Sequence, residues 1–302
     1  MSKSKENDNG RYFEYLVASR LVESYKVSLT NRAINDQLRD AKKSIDLKTK
    51  KKMVNSLDKI CSWIESKINL SEKTILDRLP DIGNDRKTHD DISLMDQYGK
   101  NLSFSLKHNS TSIFHGRPWT VCNWIGIDKD HVQVKEFKNN IDSSIKTLHS
   151  QIPPDTRFSK NRKIMDIYSE YWSNFVQSTF HEMKTVLLFA NSDSKYILNL
   201  FNKIIGDGKN QYRIILKNNS LLIEDLDNLK KPKSINVTIK QKIRENDIRT
   251  NYVWYLCINF DNGLKIEARS KQDSSKMKKV PPIKPDWQVV DWGKSGMIEE
   301  KL

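Results

Sequence analysis

The chain has 302 residues, and 52 lysines and arginines against 38 aspartates and glutamates give it a formal net charge of +14. That length can bury a full-sized core, and the surplus of surface cations favours a polyanionic partner such as nucleic acid. No apolar run is long enough for a bilayer and MSKSKENDNGRYFEYL carries no signal-peptide h-region, so a membrane partner is excluded and a soluble cytoplasmic protein is expected.

In chain order, residues 10–25 place Phe13, Leu16, Val17, Leu21 and Tyr25 at helical spacing, with Asn9 as a cap. Residues 48–68 repeat the pattern through Met53, Leu57, Ile60, Ile64 and Ile68, and Ser71 ahead of Pro80 predicts a shorter helix over 71–79. Residues 91–95 form an apolar run and 96–101 a polar turn around Gly99. Leu102 to Leu106 then alternates straight into Lys107, which completes a predicted β-hairpin. Helical periodicity returns over 131–149, 168–189 and, after a break at Asn191, 194–205. The last third reads as strands: 212–216 and 221–224 about a polar turn, 234–239, 253–260 and, after Asp261-Asn262-Gly263, 264–268. Beyond Arg269 the chain is polar, lysine-rich and punctuated by Pro281, Pro282 and Pro285. Cys61, Cys122 and Cys257 lie far apart in apolar stretches, as buried thiols of a reducing compartment do, and offer no metal spacing. The expected fold is a mixed α/β single domain over 1–302. Its catalytic core with N-terminal helices covers 8–130, a helical region 131–210, and a strand-rich DNA-contact region 211–302.

The hairpin carries the chemistry. The start of one strand lies beside the end of the other, so Asp91 and Lys107 share one site. Phosphodiester hydrolysis needs an in-line water and charge stabilisation on the phosphate, which Mg²⁺ on carboxylates and backbone carbonyls supplies. A lysine beside that water orients it and offsets the developing charge. Asp90 adjoins Asp91 and points to the opposite face of a strand begun there; Asp91 is preferred because it directly precedes the apolar run. The strings Glu136-Phe137-Lys138, Glu182-Met183-Lys184 and Asp207-Gly208-Lys209 also offer an acid two residues before a lysine. Two lie in helical periodicity and one in a glycine-flanked turn, so context selects Lys107.

This arrangement resembles the PD-(D/E)xK nuclease core, where an acid begins one strand and an acid-x-lysine triplet ends the next. The triplet here is Ser105-Leu106-Lys107, with Ser105 where the family has an acid. Serine keeps an oxygen without the charge, so a second carboxylate must come from elsewhere. The family's glutamate on the helix before the sheet implies Glu14, which with Asp91 would hold the metal. More narrowly, Phe104-Ser-Leu-Lys-His-Asn109 followed by Phe114-His-Gly-Arg-Pro118 is similar to the core of HaeIII-like type II restriction endonucleases. Leu264 to Lys271 and the following lysine-rich segment resemble their late strand and loop. The resemblance implies a restriction-endonuclease-like core, a mixed central sheet flanked by helices. It also implies Mg²⁺-dependent cleavage of double-stranded DNA at a short palindromic site, possibly GGCC-like. A homodimer and a functional pairing with a cognate DNA methyltransferase belong to the same expectation.

Implied DNA contacts are His108 and Asn109 after the catalytic lysine, Arg117 on a phosphate or a guanine, and Arg269, Lys271, Lys276 and Lys278 in the late basic loop. Basic clusters at 48–52, 230–233, 240–249 and 271–279 could assemble a nucleic-acid groove or form an ordinary solvated surface. Trp119 and Trp124 are expected in the core, and His115 as an ordinary hydrogen-bonded histidine. A repair or recombination nuclease of the same core stays open, as does a non-catalytic DNA-binding protein in which Asp91 and Lys107 form a structural ion pair.

Overall fold

The computed structural model describes residues 3–79, 90–109, 112–114, 117–156, 162–205, 211–217, 220–226, 229–246, 249–270, 277–281, 283, 285–293 and 297–301. The chain divides into two compact units, one of residues 1–111, 206–229 and 295–302, the other of 112–205 and 230–294. Sequence boundaries at 130 and 210 do not coincide with these units, because each unit draws on distant stretches of the chain.

The first unit layers helices on a sheet. Its helices are α1 (Lys3–Tyr25), α2 (Asn31–Asp40) and α3 (Leu47–Lys67). Its strands are β1 (Ser28–Leu29), β2 (Ile75–Arg78), β3 (Ile92–Met95), β4 (Asn101–His108), then β6 (Gln211–Lys217), β7 (Ser220–Asp225) and β12 (Met297–Lys301). Side-chain caps begin two of the helices: Thr30 Oγ1 accepts from Ala33 N, and Asp46 Oδ1 accepts from Thr49 N at 2.9 Å. The strands form a seven-stranded mixed sheet in the order β1-β2-β3-β4-β6-β7-β12. β1 runs parallel to β2 and β4 parallel to β6, and the other neighbours are antiparallel.

Period-two alternation decides which residues meet the helices. Leu102, Phe104 and Leu106 of β4 join Ile92, Leu94, Tyr212, Ile214 and Leu216 in one buried cluster. Phe13, Val17 and Leu21 of α1 and Met53, Leu57, Ile60 and Ile64 of α3 complete it. Each such side chain contributes on the order of 1.5–3 kcal/mol by leaving water. The opposite parity places Ser103, Ser105 and Lys107 on the other face of the sheet. The hairpin turn forms as its residues suggest. Gly99 takes φ 78°, and Asp96 Oδ1 accepts from the backbone N–H groups of Tyr98 and Lys100, both at 2.9 Å.

Three local expectations change. Residues 71–79 are not helical: Ser71 closes a single turn with Thr74, and the chain then enters β2, paired to both β1 and β3. Four strand residues are too few to show a period, and pairing on both sides overrides the cap-like serine. The hairpin at 211–225 extends the first sheet, because β6 pairs in parallel with β4. The proline-punctuated stretch after Arg269 contains β11 (Asp286–Trp292), which starts beyond the prolines.

The second unit holds β5 (Ser112–Phe114), α4 (Val121–Ile125), α5 (Val132–Gln151), α6 (Arg162–Phe189) and α7 (Ser194–Ile205). It continues with β8 (Ile235–Asn246), β9 (Arg249–Phe260), β10 (Leu264–Arg269) and β11. Its sheet is antiparallel in the order β5-β11-β10-β9-β8. Helices cover one face: Trp254 Nε1 donates to Ser173 Oγ of α6 at 2.9 Å, and Phe201 of α7 meets Phe260 edge to face. Trp124 and Trp287 pack edge to face in the same unit, and Trp119 is half-buried, so both expected core tryptophans serve packing. Among the described residues, no helix is long and apolar enough to cross a membrane.

Candidate active site

The hairpin register builds the centre of the site. Ile92 pairs with Phe104, and Asp91 N donates to Phe104 O at 3.0 Å, which sets Asp91 beside Ser105. Its carboxylate then faces the polar side of β4. Three donors converge on Asp91 Oδ2: Ser105 Oγ at 2.9 Å, Leu106 N at 2.9 Å and Lys107 Nζ at 3.2 Å. Burial works to raise the Asp91 pKa, but the Lys107 charge and these hydrogen bonds outweigh it and hold the carboxyl below its ordinary value. Asp91 is therefore ionised at neutral pH. Ser105 carries no charge and fixes the orientation of the acid.

Glu14 enters from α1 and is almost fully buried. Arg78 Nη2 donates to Glu14 Oε2 at 2.7 Å, and Arg11 Nη1 approaches the same oxygen at 3.4 Å. Burial first and the charge of Asp91 second push the Glu14 carboxyl up to about 7, against the pull of Arg78 and Arg11. The acid chosen on the first helix thus lies within electrostatic reach of the strand acid. Asp90 is the more deeply buried of the adjacent acids.

The sequence reading missed the residues that hold Glu14. Arg78 is fully buried, and its Nη2 also donates to Asp40 Oδ2 at 2.8 Å while Nη1 donates to Gln37 Oε1 at 3.1 Å. Asp40 receives Arg39 as well, so one buried guanidinium ties α1, α2 and β2 together. The available signal was an arginine inside the apolar stretch Ile75-Leu-Asp-Arg-Leu79, lost once that stretch was read as a helix. A second buried pair, Arg213–Glu224 at 2.9 Å, lies beyond Ser105, whose parallel partner on β6 is Arg213. Arg213 also feels the charge of Asp91.

The other expected contacts separate. His108 follows Lys107 on β4, and burial, then the Lys52 charge, lowers its pKa, so its imidazole is neutral at physiological pH. Asn109 ends the strand at φ 54°, with its N–H on Leu216 O at 2.9 Å. Arg117, Arg269 and Lys278 belong to the second unit. There Arg117 Nη1 donates to Ile283 O at 3.2 Å, Arg269 pairs with Asp286 at 3.4 Å, and Lys278 is exposed. Lys271, Lys276 and His115 lie outside the described residues.

Two carboxylates with hard oxygens suit a divalent cation of the Mg²⁺ type. Neither Asp91 Oδ1 nor Glu14 Oε1 takes a hydrogen bond from a described residue, since every donor goes to the second oxygen of each acid. A cation held by both acids would oppose the shift that burial first and the Asp91 charge second impose on Glu14. Among the described residues no trio of His, Cys, Asp or Glu side chains gathers as a ready cage. Waters and backbone carbonyls would complete the shell, which Mg²⁺ accepts readily.

Comparison with family models, curated proteins and solved structures gives no match.

Proposed function

We propose that this chain is a Mg²⁺-dependent endonuclease acting on double-stranded DNA, built on a PD-(D/E)xK-type site. The observation that carries the reading is the convergence of Lys107 and Ser105 on one oxygen of Asp91 at adjacent strand ends, with Glu14 electrostatically coupled to that acid. The mixed sheet under a helical layer and the net charge of +14 accord with it.

Asp91 and Glu14 would hold the cation. When bound, it supplies positive charge for the scissile phosphate and a water of lowered pKa. Lys107 spends one N–H on Asp91 and keeps two, enough to hold the attacking water and to donate to a phosphate oxygen as charge develops there. Ser105 and Leu106 N keep Asp91 aimed, and Arg78 keeps Glu14 aimed. The finer reading is a type II restriction enzyme cutting a short palindromic, possibly GGCC-like, site as a homodimer beside a cognate methyltransferase.

Unmethylated phage DNA incubated with Mg²⁺ or with EDTA tests this. Discrete fragments that appear only with Mg²⁺ are expected, and a Mg²⁺-dependent smear would favour a repair or recombination nuclease. DNA binding without cleavage would reduce Asp91 and Lys107 to a structural ion pair and end the nuclease reading.

A further inference from the structure

The lysine cluster 48–52 is absorbed by nothing described so far, although its place in the fold is well defined. The far end of α3 is fixed by two contacts. The Trp63 ring meets Tyr212, the second residue of β6, at 4.8 Å, and Lys100, just before β4, donates its Nζ to Lys67 O at 2.5 Å. The C-terminal end of α3 therefore lies over the starts of the parallel strands β4 and β6. The 21 residues of the helix extend about 30 Å, and the 8 residues of β4 about 27 Å in the opposite sense. That brings the first turns of α3 to the carboxyl ends of those strands, where Lys107, His108 and Asn109 sit. Lys52 and Asp46 accordingly both act electrostatically on His108.

The charges in those turns run against the helix. A helix start favours acids, and cations there cost a few tenths of a kcal/mol each. Yet no acid occupies the first turn of α3, and Lys48, Lys50, Lys51 and Lys52 crowd its first half. Lys48, Lys50 and Lys51 are exposed and Lys52 is half-buried. Among the described residues none of the four forms an ion pair, whereas Arg11, Arg20, Arg32, Arg39 and Lys43 of the same helical layer all do. Lys50 only leans over the Tyr12 ring, at 5.9 Å. The one carboxylate at this helix start, the N-cap Asp46, is spent on Thr49 N.

We infer that Lys48, Lys50, Lys51 and Lys52 form a phosphate-binding ridge that holds the backbone of duplex DNA flanking the Asp91–Lys107 site. The inference takes its partner from the nuclease reading. The backbone of a duplex presents phosphates in series, and lysines clustered about the first turns of one helix, with Lys48, Lys51 and Lys52 within about a third of its circumference, match it by charge without reading bases.

The test is binding of a labelled duplex in EDTA, where no cleavage occurs, over a range of salt concentrations. The protein carrying Lys48→Gln, Lys50→Gln and Lys51→Gln is compared with wild type. It is also compared with a control carrying Lys230→Gln, Lys231→Gln and Lys233→Gln, the same charge change at exposed lysines of the second unit. The ridge variant is expected to bind roughly tenfold or more weakly near 0.1 M salt. Its slope of log K against log salt should fall by about 2–3, a loss that the control does not reproduce. An unchanged slope, an equal loss in the control, or no duplex binding by wild type would each overturn the inference. Absence of Mg²⁺-dependent cleavage would instead count against the nuclease reading, because binding in EDTA is read independently.

Discussion

Replacing Glu14 by glutamine removes a charge that the fold holds at a cost. The Glu14 carboxyl moves from an ordinary 4.5 to about 7 on folding, through burial first and then the charge of Asp91. Between those values the folded protein keeps a proton that the unfolded chain has released, so stability falls as pH rises through the window. The loss is complete above about pH 7 and amounts to about 3 kcal/mol. Glutamine still offers an acceptor to Arg78, and Asp40 still pairs with that arginine, but nothing titrates at position 14. Urea unfolding followed by circular dichroism between pH 4.5 and 8.5 in EDTA isolates the effect as a difference curve. Glu14→Gln is expected to gain on wild type as pH rises through the window and to be up to about 3 kcal/mol more stable at pH 8. Mg²⁺ should stabilise wild type and leave the variant unmoved. A difference between the two proteins that stays constant with pH would refute the electrostatic account of this site.

Lys107→Ala should abolish Mg²⁺-dependent cleavage while duplex binding in EDTA stays within a few-fold of wild type; undiminished cutting would remove Lys107 from the site. Arg78→Ala takes the buried guanidinium from between Glu14 and Asp40, leaving Glu14 with the longer Arg11 contact and Asp40 with Arg39, and should cost about 3 kcal/mol in unfolding experiments near neutral pH. A much smaller loss would show that water reaches that network. Ser105→Asp places an acid at a buried position against Asp91. It should lower stability in EDTA and recover much of the loss in Mg²⁺, and a variant indifferent to Mg²⁺ would argue against a cation between these residues.

The hairpin that carries the candidate site was legible because its information is local. Alternation from Leu102 into Lys107, a glycine able to take positive φ, and an acid ahead of the apolar run together dictate a register that brings Asp91 to Ser105. The long helices were legible for the same reason, since 20-odd residues of periodic pattern leave little choice. Ile75 to Arg78 was not, because its strand character comes from neighbours on both sides and not from its own four residues. With that strand misread, Arg78 had no reason to meet Glu14, and the network that positions the glutamate stayed hidden. The pairing of β6 with β4 was likewise invisible, as it joins segments about a hundred residues apart through a parallel ladder.

The serine at position 105 follows from the electrostatics around it. A carboxylate there would sit against Asp91 Oδ2 with almost no water, and the charge of Asp91 already helps raise Glu14 to about 7. Two ionised acids would then share the strand end, with Lys107 as the one cation paired directly to Asp91 among the described residues. Serine turns that repulsion into a donated hydrogen bond, and the second carboxylate comes instead from α1, where Arg78 meets it. Without a cation, the pair carries one full charge on Asp91 and a proton shared with solvent at Glu14 near neutral pH. Binding a divalent ion must displace that proton, so the apparent affinity for Mg²⁺ should rise with pH through about 7 and level off above it. Serine in place of an acid at position 105 thus buries less uncompensated charge, and on the nuclease reading proposed above still leaves two carboxylates for a metal.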